Sequence, residues 1–230
     1  MRLGGSLVAD STRAKLLVAY GPGALPTYYL PLEDVRPGAL ANEEHGADGR
    51  TRWDVRVGAR GEQRAAWTHP EPTGALGGLA GHVTFSWRQL AWFEEDEQVY
   101  VHARDPHKRV DTLHSSRNVR VLVHGEEVAN SIRPLLLFET GLPVRYYLPF
   151  ADVGTSLLRP SDTVSSCPYK GTARYFSVEA GGRLMRDAAW SYPETITENP
   201  RIRGLICFYN EKVDLVVDGT ALERPESPFS

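Results

Sequence analysis

Ser166-Cys167-Pro168-Tyr169-Lys170-Gly171 packs a thiol, a phenol and an ammonium between a proline and a glycine. Proline and glycine punctuate a turn, so the three groups would stand on one bend. A thiolate is a nucleophile and a redox centre. A free cysteine ionises near ~8.5, and an ammonium brought against the sulfur lowers that value. Cys167 and Lys170 are therefore the candidate catalytic pair. The same lysine could instead fix the anionic group of a bound molecule. Cysteine enzymes usually need a base, often histidine. All seven histidines (His45, His69, His82, His102, His107, His114 and His124) precede position 125, and both cysteines, Cys167 and Cys207, follow it. The base would have to be Lys170, a tyrosine, Glu139 or a histidine from the first half. The segregation also leaves no Cys/His zinc site within one half, and no Cys-x-x-Cys pair occurs, so no metal and no cofactor is expected.

Composition bounds the partners. The chain has 230 residues, a net charge of -3, 41% hydrophobic and 24% charged residues, which is ordinary for a soluble globular protein. No basic footprint for nucleic acid is present. No apolar run approaches the ~18 residues of a membrane span, and the N-terminal residues lack the apolar core of a secretory signal. The expected location is the cytoplasm, where both cysteines would be free thiols. The sequence leaves a homodimer open.

An internal repeat sets the architecture. Val8-Ala9-Asp10-Ser11-Thr12-Arg13 returns as Val128-Ala129-Asn130-Ser131-Ile132-Arg133, Tyr28-Tyr29-Leu30-Pro31 as Tyr146-Tyr147-Leu148-Pro149, and Asp34-Val35 as Asp152-Val153. Ala65-Ala66-Trp67 returns as Ala188-Ala189-Trp190, and the block from Gly81 to Phe85 as that from Gly204 to Phe208. The offsets are 120, 118 and 123. Two copies are expected, 1–108 and 109–230, each of normal domain size.

Each copy reads as mostly β. Arg52 to Val57 and Val119 to Val123 alternate as half-buried strands do. Gly21-Pro22-Gly23, the loop from Gly58 to Gly61, His124-Gly125 and Gly181-Gly182 read as turns. The stretch from Pro70 to Gly81 reads as loop, and 104–118 as a linker. Ser86 to Phe93 is the best candidate for a helix, with Ser86 as cap. Glu94-Glu95-Asp96-Glu97 reads as a solvated loop, and Glu223 to Ser230 as a loose tail.

Ala129-Asn130-Ser131, Tyr146-Tyr147-Leu148-Pro149, Asp152-Val153, Cys167 to Gly171, Ala189-Trp190-Ser191-Tyr192-Pro193 and Gly204 to Tyr209 together resemble the bacterial DUF427 family, whose function is not established. The resemblance covers nearly the whole chain as two tandem copies. It implies a mainly β fold: two small tandem β-tent domains, similar to Mss4-like proteins, with few short helices. The family has carried a nucleotidyltransferase-like label. Such enzymes need paired acids for two magnesium ions and a Gly-Ser bend for the triphosphate; no Asp-x-Asp stands near a Gly-Ser here.

The copies differ informatively. Copy one has Gly46-Ala47-Asp48-Gly49-Arg50 where copy two has the Cys167 bend, and Ala19-Tyr20-Gly21 where copy two has Glu139. Residues kept in both suit folding; residues found in copy two alone suit function. Tyr147, Tyr169, Tyr175, Trp190, Tyr192, Glu139, Arg133 and Asp152 are the candidate ligand-binding residues. Trp190 and Tyr175 also suit core packing. One of Tyr146 and Tyr147 must face away from the core, because strand neighbours alternate. Asp152 would cap a turn, and Glu139 would pair with Arg133 or Arg145. Cys207 reads as a core thiol. The leading expectation is a protein that binds a small molecule in an aromatic-lined pocket of the second domain. An enzyme using Cys167 with Lys170 is the alternative, and a protein-interaction scaffold a further one.

Overall fold

Alternation and turn chemistry resolve the computed structural model into 52% strand and 8% helical residues, a mainly β protein. Residues 1–19, 21, 24–70 and 72–229 are described. The Gly21-Pro22-Gly23 turn, the Ala19-Tyr20-Gly21 counterpart of Glu139 and the last residue of the tail fall partly or wholly outside them. The chain divides into two units, Met1–Asp105 and Pro106–Ser230.

Unit 1 holds β1 (Arg2–Leu3), β2 (Ser6–Leu7), β3 (Lys15–Leu17), β4 (Thr27–Pro31), β5 (Leu40–His45), β6 (Thr51–Val57), β7 (Arg60–Trp67), β8 (His82–Phe85), β9 (Trp92–Glu94) and β10 (Glu97–Val99). The larger sheet runs β3-β4-β8-β7-β6-β5. Unit 2 holds β11 (Val110–His114), β12 (Val119–Val123), β13 (Glu126–Ser131), β14 (Leu135–Glu139), β15 (Arg145–Pro149), β16 (Leu158–Cys167), β17 (Gly171–Ala180), β18 (Arg183–Thr195), β19 (Leu205–Phe208), β20 (Asp214–Val217) and β21 (Thr220–Ala221). Its large sheet runs β11-β14-β15-β19-β18-β17-β16, and a smaller one β13-β12-β20-β21.

The repeat extends to register. Leu30 faces Val83 as Leu148 faces Ile206, and Trp53 faces Ala66 as Phe176 faces Ala189. The bulge that follows each of the latter pairs recurs between Trp53 and Val55 and between Phe176 and Val178. Arg64 and Asp187 hold the matching left-handed conformations, φ 48° and 47°. A bulge adds one residue to a strand and bends it, so the same local kink shapes both sheets.

One apolar cluster fills unit 1, including Val8, Leu30, Val55, Val83 and Phe85. Unit 2 has two. Val119, Leu148, Val178, Ile206 and Phe208 form one, while Leu135, Leu137, Tyr147, Trp190 and Cys207 form the other. Tyr147 therefore leaves the first cluster, as alternation requires, but enters a second one. Tyr146 packs partly buried against the first, so neither tyrosine faces open solvent.

Several local expectations need correction. Ser86 to Phe93 is not a helix. The Leu90 N–H reaches Ser86 O at 3.1 Å, a single turn that is not continued. The chain then reverses into β9, because Trp87 stacks on Trp92 with centroids 4.5 Å apart. The stretch 104–118 is no simple linker: it contains β11, which pairs with β14 at the edge of the large sheet. Within the Pro70–Gly81 loop, Gly74–Leu79 winds as a 3-10 helix. Glu94 and Glu97 close a β9–β10 hairpin rather than lying in open loop. The tail is not loose up to Phe229. Arg224 pairs with Asp214 at 2.7 Å, Ser227 Oγ donates to Glu211, and Phe229 packs against Tyr209.

Candidate functional site

The Cys167 bend is a hairpin tip. β16 ends on Cys167 directly opposite Gly171, the first residue of β17. The Lys170 N–H closes the turn on Cys167 O at 3.3 Å. Two further bonds hold the tip to the segment after β18: Ile196 N–H to Lys170 O at 3.2 Å, and Asn199 Nδ2 to Tyr169 O at 2.7 Å. Gly171 sits at φ 113°, and a Cβ there would stand 2.6 Å from Glu194 O. Only glycine fits that position without strain.

Lys170 turns to Glu139. Its Nζ donates to one carboxylate oxygen, while Lys108 Nζ lies 3.3 Å from the other. Glu139 is buried and thus binds two ammonium groups, neither of them from Arg133 or Arg145. Burial pushes the Cys167 thiol up; the Lys170 charge pulls it back only in part, and Glu139 opposes that pull. Cys167 is a protonated thiol at neutral pH. Cys207 is fully buried and pushed to about 12 by desolvation. Both cysteines are free.

Tyr147, Trp190 and Tyr192 are brought together in the second cluster, with Tyr175 packed against it. Trp190 Nε1 donates to Tyr147 Oη at 3.1 Å, and the two rings meet edge-on. Burial raises the Tyr147 and Tyr192 phenols far above their ordinary range, so both stay neutral. At the rim, Tyr175 stacks on Tyr209 and their hydroxyls approach to 3.4 Å; Ser165 Oγ meets Tyr175 Oη at 2.9 Å. Ser165 lies two residues before Cys167, so this rim adjoins the bend.

Beneath the rim lies a pair the sequence reading missed. Arg145 binds Glu211 through two bonds of 2.7 Å, with side chains 7% and 1% exposed. The guanidinium stands 5.5 Å from the Trp190 ring centre and 5.8 Å from that of Tyr209. Burial alone would raise the Glu211 carboxyl; the Arg145 and Ser227 bonds overcome it and hold the group at about 2. The signal was available. At the repeat offsets Arg145 corresponds to Thr27 and Glu211 to Arg88, so this pair is as specific to the second copy as Cys167 is.

Arg133 and Asp152 stand apart from this cluster and bind each other. Arg133 Nη2 reaches Asp152 Oδ1 at 2.9 Å, and Ser131 Oγ reaches Oδ2 at 2.7 Å. Asp152 closes the 3-10 turn Phe150–Asp152 onto the end of β13 rather than capping it. Unit 1 repeats the arrangement with Ser11, Arg13 and Asp34. A cavity of about 250 Å³ opens beside Glu139, walled by Arg109, Asp111, Phe138 and Leu142. The buried aromatics do not line it. Among the described residues, no three His, Cys, Asp or Glu side chains gather as metal ligands, and no helix is long and apolar enough to cross a membrane.

The fold and site define a duplicated, mainly β protein with an aromatic and charged cluster in its second copy. The family model described as Domain of unknown function (DUF427) matches residues 1–96 and 111–219, and the chain belongs to that family as a tandem protein. No curated protein matches it significantly.

Proposed function

We propose that the protein binds a small molecule in unit 2, against the Tyr175–Tyr209 rim and next to the Cys167 bend. The carrying observation is the rim itself. The half-buried phenols Tyr175 and Tyr209 stack on each other, the buried Arg145 guanidinium stands 5.8 Å from the Tyr209 ring centre, and Lys212 Nζ stands 4.7 Å from it. Stacked rings offer a planar partner a face, and the hydroxyls and the Lys212 ammonium orient its polar groups. An anionic, ring-bearing ligand fits this chemistry. The bend favours binding over cysteine chemistry: the thiol is protonated and Lys170 is committed to Glu139.

Crystals soaked in a defined mixture of anionic aromatic metabolites test the reading. Density at Tyr175 and Tyr209, lost in Tyr175→Ala, is the expected result. A ligand that binds equally well to Tyr175→Ala overturns it.

A further inference from the structure

β21 ends at Ala221, and the Leu222 N–H still bonds Leu215 O at 2.8 Å. From Glu223 to Phe229 the chain leaves the small sheet of unit 2 and crosses to the aromatic rim. Pro225 and Pro228 carry no N–H, which suits a segment that does not extend a ladder. Side chains tie it down. Arg224 pairs with Asp214 at 2.7 Å, Ser227 Oγ donates to Glu211, and the Phe229 ring centre stands 6.3 Å from that of Tyr209. The Phe229 N–H bonds Ser227 Oγ at 3.1 Å, so the position of the ring is tied to the Glu211 bond.

These ties are uneven. The Arg224 and Asp214 side chains are 52% and 56% exposed, and an exposed ion pair holds weakly. Ser227 binds a buried carboxylate that Arg145 already holds. Phe229 is 46% exposed, yet its ring has a defined place. Trp190 backs Tyr209 from the core, with ring centres 4.5 Å apart. Phe229 meets Tyr209 from the solvent side. The Arg145 guanidinium lies 5.8 Å from the centres of both the Tyr209 and the Phe229 ring. A ring held beside a cation and against a phenol is the place that the rim offers a planar ligand.

We propose that the segment 223–229 is an internal strap over the rim, in which Phe229 holds the place of the ligand's ring. The inference rests on the reading of the rim as a binding site. Ligand entry swings the strap about its exposed residues Glu223, Arg224 and Glu226 and exchanges one ring for another against Tyr209 and Arg145. The Lys212 ammonium, 4.7 Å from the Tyr209 ring centre, then meets the anionic group that Phe229 lacks. A strap that is mostly closed lowers the apparent affinity by the fraction of open molecules. A negative charge placed on residue 227 faces Glu211 and opens the strap by like-charge repulsion.

The test is a nuclear magnetic resonance titration of the 230-residue protein with 1-naphthoate, a planar aromatic carboxylate. The expected result is saturable shifts at Tyr175 and Tyr209, with shifts at Phe229 as its ring leaves Tyr209. Phe229→Ala should bind about tenfold more tightly, the factor for a strap closed about nine-tenths of the time. Ser227→Asp, which sets two carboxylates against each other, should bind several-fold more tightly with Phe229 still present. Equal affinity in the three proteins, or weaker binding to Phe229→Ala, overturns the strap and leaves the rim standing. Binding that survives Tyr175→Ala unchanged overturns the rim instead. No saturable shift at Tyr209 in any of the three proteins overturns both.

Discussion

In unit 1, β4 opens on Thr27, whose hydroxyl meets Thr84 at 3.0 Å and accepts the Trp87 indole N–H at 2.9 Å. In unit 2, β15 opens on Arg145, whose guanidinium grips Glu211 beside the rings of Trp190, Tyr209 and Phe229. The ladders around these residues share register, and the neighbouring β6–β7 and β17–β18 ladders share a bulge. One copy fills the position with neutral hydroxyls, the other with a desolvated ion pair. An ion pair is a poor means of stabilising a core, because desolvation offsets most of its attraction. Its retention beside a rim of partly exposed phenols points to the second copy as the one that holds chemistry.

The sharpest way to break this comparison is Glu211→Ala. It strands a buried guanidinium, which costs about 3–5 kcal/mol. Amides of unit 2 should lose hydrogen-exchange protection while those of unit 1 keep theirs. The pair Arg145→Thr with Glu211→Ala should recover part of the loss, because no unpaired charge remains. Acid should act in the same direction. Glu211 is held at about 2 against an ordinary 4.5. Its contribution is full above pH 4.5 and fades as pH falls toward about 2. A uniform loss of protection across both units would end the distinction.

The next effect is steric and common to both copies. Gly171 and Gly49 have positive φ at the tips of matching hairpins. An added Cβ would stand 2.6 Å from Glu194 O at the first and 2.9 Å from Pro70 O at the second. Alanine at either should cost about 1–3 kcal/mol of local strain, with Gly171→Ala the more severe. Thermal denaturation of the two variants measures this. If Gly49→Ala alone were damaging, the hairpins would not be equivalent.

Cys167 sharpens the comparison from the side of reactivity. Its alkylation should be slow at neutral pH and still climbing above the ordinary thiol range, because burial holds the proton on. Lys170→Ala removes the charge that favours the thiolate and should slow the reaction further. Glu139→Gln removes the charge that opposes it and should speed the reaction. A fast native reaction at neutral pH would revive cysteine chemistry.

How much of this was legible follows from how each feature is encoded. The duplication was plain, because packed strands and turn glycines leave ordered sequence blocks. The bend at Cys167 was plain, because proline and glycine fix backbone locally. Pairing was not. Glu139 met Lys170 and Lys108 instead of either expected arginine, since long side chains choose partners by sheet order, which local pattern does not specify. The Ser86–Phe93 stretch has the cap and length of a short helix, yet the Trp87–Trp92 stack overrode that preference. Arg145 and Glu211 lie 66 positions apart, and only the copy-to-copy filter could have joined them.

The smallest effect tests the shared part. Asp34 accepts Ser11 and Arg13, and Asp152 accepts Ser131 and Arg133. At Asp34 the serine bond lowers the carboxyl most, and at Asp152 the Arg133 bond does. Both groups are lowered in the folded state, so each contributes stability above its unfolded value and loses it as pH falls through the folded one. The pairs are solvent-screened, which keeps the contribution small. Asp34→Asn and Asp152→Asn should therefore lower protection slightly, each in its own unit and to similar extents, and each should blunt the acid sensitivity of that unit. Ser11→Ala and Ser131→Ala separate the two contributors, and the serine change should matter more in unit 1. Arg133 and Asp152, both candidate ligand-binding residues by sequence, bind each other apart from the aromatic cluster. A ligand whose affinity falls in Asp152→Asn while protection in unit 2 is unchanged would return that pair to the site.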